Sequence, residues 1–97
     1  AQLLADELRR MEAANHLDKD LPLHVRVARA LVGLSEEFAS SEFQVRQAEI
    51  AKLVGVTRQT VSGGLKRLEK AGVISLSYGR VTILNVKHLV VVAKSAA

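Results

Sequence analysis

The sequence predicts a mainly α-helical domain carrying one small β-hairpin. Three observations predict it. Apolar residues recur every three or four positions through much of the chain, and two β-rich runs flank a turn near Gly79. Only Phe38, Phe43 and Tyr78 are aromatic, so Leu, Val, Ile and Ala must build the core. Ninety-seven residues, 48% of them hydrophobic, suit one compact domain with a small core.

Residues 1–14 carry Leu3, Leu4, Leu8 and Met11 at helical spacing, an apolar stripe that needs a partner. So short a helix is marginal alone, and two readings stand: the end of a longer helix, or a helix packed on its own domain. Residues 15–21 are polar and lead to the only proline, which reads as a hinge before a helix with Pro22 in its first turn. Val27, Ala28, Leu31, Leu34 and Phe38 mark the buried face of that helix, which should end near Phe38. "ASSE" is expected to be a loop. Residues 46–54, "RQAEIAKLV", form the next helix with Ile50, Leu53 and Val54 inward, stopped by Gly55.

Thr57 is placed to cap a helix running to about Ala71, where Gly72 supplies a left-handed stop. Inside it lie Gly63 and Gly64, although glycine costs a helix interior about 0.8 to 1.0 kcal/mol relative to alanine. "VISLSYGRVTILN" then predicts a hairpin turning at Tyr78, Gly79 and Arg80. Asn85 is expected to cap a last helix, against the β-branched preference of Val90, Val91 and Val92.

Charge and motif narrow the function. Residues 1–43 sum to −3 and residues 44–97 to +7, the footprint of a half that binds a polyanion. Without cysteine there is no disulfide framework, thiolate metal site or cysteine nucleophile. Few aromatics argue against base stacking as a binding mode. No apolar run reaches the roughly 20 residues of a membrane span, and the N-terminus lacks signal-peptide features, so a soluble chain with no membrane partner is expected.

Residues 47–66 hold two short helices separated by "GVT". Ala51 is small where two helices must approach, Gly55 permits the tight turn, and Val56 and Val61 fill the wedge. This is the pattern of a helix-turn-helix, whose second helix enters the major groove N-terminus first. With the hairpin directly after it, the predicted fold is a winged helix-turn-helix spanning residues 22–97. On the second helix Arg58, Gln59, Ser62, Gly63, Lys66 and Lys70 share the outward face, while Val61, Gly64, Leu65 and Leu68 face inward.

Arg58 can make paired bonds to guanine and Gln59 to adenine, so Arg58, Gln59, Ser62 and Gly63 form the candidate base-reading group. Lys52, Thr57, Thr60 and Lys66 suit phosphate oxygens, and Arg80 at the hairpin tip suits the backbone or minor groove. His16, Asp18, Asp20 and His24 could be taken for metal ligands, but a solvated hinge is the commoner explanation of such a cluster. His88 reads as an ordinary histidine, and Ser62 has no histidine near it to act as base, so no catalytic residue is identified and an enzyme is not expected.

"EIAKLVGVTRQTVSGGLKRLEKAGVI" followed by "YGRVTIL", with "RVARALVGL" upstream, resembles the C-terminal DNA-binding part of the Crp/Fnr family of bacterial transcription regulators. The resemblance runs from about Leu21 to Leu84. It implies a cytoplasmic regulator that binds double-stranded DNA as a homodimer, with RNA polymerase as a further partner, and it makes residues 1–14 the end of the family's dimerisation helix. The effector-binding β-roll that precedes this helix in the family has no counterpart in these 97 residues, so no cofactor is expected within them and the effector is unassigned. The family often has glutamate where this chain has Gln59 and arginine where it has Gly63, both usual base-reading positions, which leaves Arg58 as the main specificity side chain. Gly64 takes an inward position that usually holds a larger apolar side chain, with small Ala51 of the preceding helix as its expected neighbour. The competing reading is a winged-helix module whose basic half docks an acidic protein partner.

Overall fold

In the computed structural model, which describes residues 20–95, Pro22 precedes helix α1, Leu23–Phe38. The Pro22 carbonyl accepts the first helical bonds from the Val25 and Arg26 amides, as suits a residue with a preset φ and no N–H of its own. The helix ends where Ala39 turns left-handed, φ 52°, its amide bonding back to Glu36. Residues 1–14 and 15–19 of the expected hinge lie outside the described residues.

Sequence reasoning and structure part next. Glu42, expected in a loop, begins strand β1, Glu42–Gln44. Nothing local signals three residues as a strand; β1 exists because it pairs antiparallel with residues 80–82, far along the chain. Helix α2, Gln47–Val54, follows and stops at Gly55 in the left-handed conformation, φ 83°. Helix α3, Arg58–Lys70, begins at the Thr57 cap and is followed by left-handed Gly72, φ 77°. Strands β2, Ile74–Ser77, and β3, Arg80–Ile83, form the expected hairpin, but its turn is Tyr78 and Gly79 alone: Arg80, expected in the turn, opens β3 opposite Ser77. The sheet order is β1-β3-β2, all antiparallel.

Helix α4, Val86–Lys94, is capped by the Asn85 side chain, which accepts the His88 amide at 3.0 Å. Its three consecutive valines yield to burial. Leu89 and Ala93, four residues apart on one face, are fully enclosed, and such packing outweighs a propensity difference of a few tenths of a kcal/mol per residue.

Helix α1 is the hub, packing against α2, α3, α4 and β1. Val25, Val27, Ala28, Leu31, Val32 and Leu34 are buried along it. Phe38, expected on that face, is half exposed at the last turn and stacks on buried Phe43 of β1 with ring centroids 5.6 Å apart. Leu53 is a second correction: it is exposed, and the buried arc of α2 is Ile50, Ala51 and Val54.

Two arginines of α1 carry charge into this packing. Arg26 Nη2 donates to the Val54 carbonyl at 2.7 Å, and Arg29 Nε, on a buried side chain, donates to the Ala93 carbonyl at 2.8 Å. Each meets the end of another helix, where unpaired carbonyls and the helix dipole favour a cation.

The adjacent glycines of α3 have different surroundings. A Cβ on Gly63 would meet nothing within 4 Å, whereas one on Gly64 would lie 2.9 Å from Val27 Cγ2 and 3.2 Å from Leu23 Cγ. The inward neighbour is therefore α1, not Ala51 of the preceding helix as the sequence suggests. Val27 is fully buried and, being β-branched, has little rotamer freedom to move aside. Gly64→Ala is accordingly expected to destabilise by about 1 to 3 kcal/mol through overpacking. Gly63→Ala should stabilise by up to about 1 kcal/mol. Urea melts of the two variants compare them directly, and equal stabilisation by both would remove the packing account of Gly64.

Candidate nucleic-acid interface

The start of α3 is built by a threonine pair. Thr57 Oγ1 accepts the Thr60 amide at 3.1 Å and donates its own proton to Thr60 Oγ1 at 2.8 Å. The Thr57 hydroxyl thus holds the first helical turn together, while Thr60 keeps its proton for an outside acceptor. Both threonines expected at phosphates are exposed, and Thr57 in addition shapes the turn.

Arg58 and Gln59 stand exposed on that first turn, Gly63, Lys66 and Lys70 continue the exposed face, and Ser62 is partly covered. Val61, Gly64, Leu65 and Leu68 are buried on the opposite side, as the spacing requires. The helix is thereby held with its cationic face and N-terminal turn toward solvent. Lys52 is exposed on α2.

An open cleft of about 910 Å³ runs between the first turn of α3, the start of α2 and the hairpin. Arg58 lines one side, Arg80 and Tyr78 the hairpin side, and Arg46 and Gln47 the start of α2. The structure thus brings Arg58 and Arg80 to one concavity, while Lys52 and Lys66 are not among its lining residues. Arg46, Gln47 and Tyr78 were not singled out as site residues from the sequence. The signal for Arg46 and Gln47 was available: a cation and an amide at the very start of a helix, where backbone N–H groups also point outward. Tyr78 is a fully exposed aromatic at a hairpin tip.

Two contacts tie together the elements around the cleft. Arg26 ties the end of α2 to α1, and Glu69 Oε2 near the end of α3 accepts the Leu76 amide of edge strand β2 at 3.2 Å. At the base of α1, burial first and the Arg67 charge second lower the His24 pKa below the usual histidine value.

The profile of a family described as a Crp-like helix-turn-helix domain matches residues 25–91. The chain is 37% identical over 83 residues to the cyclic AMP receptor protein of Thermus thermophilus, covering 86% of this chain and 38% of that protein. It is similar in structure to the catabolite activator protein of Thermus thermophilus, with a TM-score of 0.71 and 35% identity, over 95% of this chain and 43% of that one. A CRP/FNR-family transcriptional regulator of the same organism matches with a TM-score of 0.75 and 31% identity, over 99% of this chain and 50% of that one. The chain thus spans half or less of the length of these relatives.

Thr57→Ala should cost about 1 kcal/mol through loss of the cap, while Thr57→Ser should retain most of the stability. Urea denaturation followed by circular dichroism reads both. An alanine variant as stable as the parent would leave the threonine pair without a structural role.

Proposed function

The chain belongs to the Crp/Fnr family as a Crp-like helix-turn-helix domain, and from that premise we propose that it binds double-stranded DNA sequence-specifically, with α3 in the major groove and the β2–β3 hairpin on the backbone. One observation carries the reading. Arg58 at the exposed N-terminal turn of α3 faces the same cleft as Arg46 and Arg80. A base-reading fork is then flanked by cations suited to the sugar–phosphate rails on either side.

In this reading Arg58 takes guanine O6 and N7, Gln59 reaches an adenine edge and Ser62 adds a short-range contact. Gly63 leaves open the groove space that a longer side chain would fill. Lys52, Thr57, Thr60, Lys66 and Arg80 meet phosphates, and Arg46 and Gln47, which line the same cleft, take the same role. The proposal extends to a cytoplasmic homodimer on a two-fold-symmetric site, since a symmetric pair of recognition helices reads two half-sites, and to RNA polymerase as the machinery acted upon. No helix among the described residues is long and apolar enough to cross a membrane.

A selection from randomised duplex DNA should return a shared motif, and a return of unrelated sequences would defeat the claim of specificity. Fluorescence anisotropy across a salt series should show log K falling with log salt, each phosphate contact contributing about −0.9 to the slope. On the selected duplex Arg58→Ala should remove about 1 to 3 kcal/mol of discrimination at one guanine per half-site. Lys66→Ala should instead weaken selected and scrambled duplexes alike. If the two variants behave the same way, Arg58 is not reading bases.

A further inference from the structure

We propose that Glu42 is a built-in competitor for Arg80, a carboxylate that holds this arginine in the free protein and so sets the domain's affinity for DNA at a low level. The inference rests on the reading of Arg80 as a backbone contact. Along β1 and β3 the side chains alternate. Phe43, Val81 and Ile83 are buried in the core, which leaves Glu42, Gln44, Arg80 and Thr82 on the outward face of the sheet.

Glu42 pairs in register with Thr82, two positions from the Gln44–Arg80 pair and on the same face of the sheet. One of its carboxylate oxygens accepts from Arg80 Nη1 at 3.4 Å and the other from Thr82 Oγ1 at 3.4 Å. Across the same cleft Arg58 has no ion-pair or hydrogen-bond partner among the described side chains. One arginine stands open and the other is held.

A guanidinium fork fits a carboxylate or a phosphate equally well, so the two anions compete for one site. The Glu42 and Arg80 side chains are 54% and 43% exposed, and a half-exposed pair at this distance is weak and exchangeable. A phosphate reaching Arg80 either displaces the carboxylate or shares the guanidinium with it, and in both cases lies beside a like charge. Because phosphate contacts carry no sequence information, this lowers affinity for every duplex by the same factor and leaves discrimination untouched. A domain held at low affinity depends on a linked second copy for stable occupancy.

Glu42→Gln tests the idea, since the amide keeps an acceptor for Thr82 and removes the charge. Anisotropy titrations on a scrambled duplex and on the selected duplex should both tighten by about 2- to 5-fold, with their ratio unchanged and a steeper salt dependence. In an Arg80→Ala background the same substitution should give little or no gain. An equal gain without Arg80 would overturn the competition and leave only a general charge effect, as would no gain in the parent. A gain confined to the selected duplex would also overturn it, because Glu42 would then bear on base reading. Arg80→Ala binding as tightly as the parent would instead remove the wing contact on which the inference rests. Urea melts of each variant separate these outcomes from a change in folding.

Discussion

The architecture depends on the close crossing of α3 over α1 at Gly64. With Val27 Cγ2 only 2.9 Å from where a Cβ would stand, the backbone of α3 lies directly on the side chains of Leu23 and Val27. Residues four apart on α1 form the ridge and the glycine forms the groove, which is the geometry by which helices interlock. Once that crossing is set, Val61, Leu65 and Leu68 complete the core from the α3 side. The opposite face, with Arg58, Gln59 and Lys66, is turned outward. A conformational disadvantage inside one helix thus becomes the condition for presenting that helix.

Charge is divided between two uses. Arg26, partly buried, and Arg29, buried, close the ends of α2 and α4 through carbonyl bonds, so their charge is spent largely inside the fold. The cations from Arg46 onward are at the surface, several of them around one cleft. A simple sum of charges hides this division, because it counts an arginine satisfied by carbonyls and an arginine open to an anion alike. The relation of Arg58 to Arg80 sharpens it further: both line the cleft, yet among the described residues only Arg80 of the two is paired with a carboxylate.

The wing is positioned from two sides. On one edge β1 pairs with β3, and on the other Glu69 of α3 takes the Leu76 amide of β2, an edge group with no strand beside it. The second contact links the hairpin to the helix that it flanks. The orientation of the wing is therefore a property of α3 and β1 together, rather than of the hairpin turn alone.

Much of this was legible in the sequence. Helical spacing placed the buried face of α1 apart from Phe38, Thr57 and Gly72 marked the ends of α3, Tyr78-Gly79 marked the hairpin turn, and Asn85 marked the start of α4. These signals are local: a cap, a left-handed glycine or a repeating apolar position acts within a few residues of itself. Tertiary structure alone decided the rest. Strand β1 forms only because β3 arrives beside it, Leu53 is exposed because Ile50, Ala51 and Val54 take the buried arc of α2, and Gly64 meets α1 although sequence adjacency pointed to α2. The gathering of Arg46, Arg58 and Arg80 around one cleft, and the capture of Arg80 by Glu42, belong to the same class. Each depends on distances between residues far apart in the chain, and local periodicity carries no information about those distances until the helices have packed.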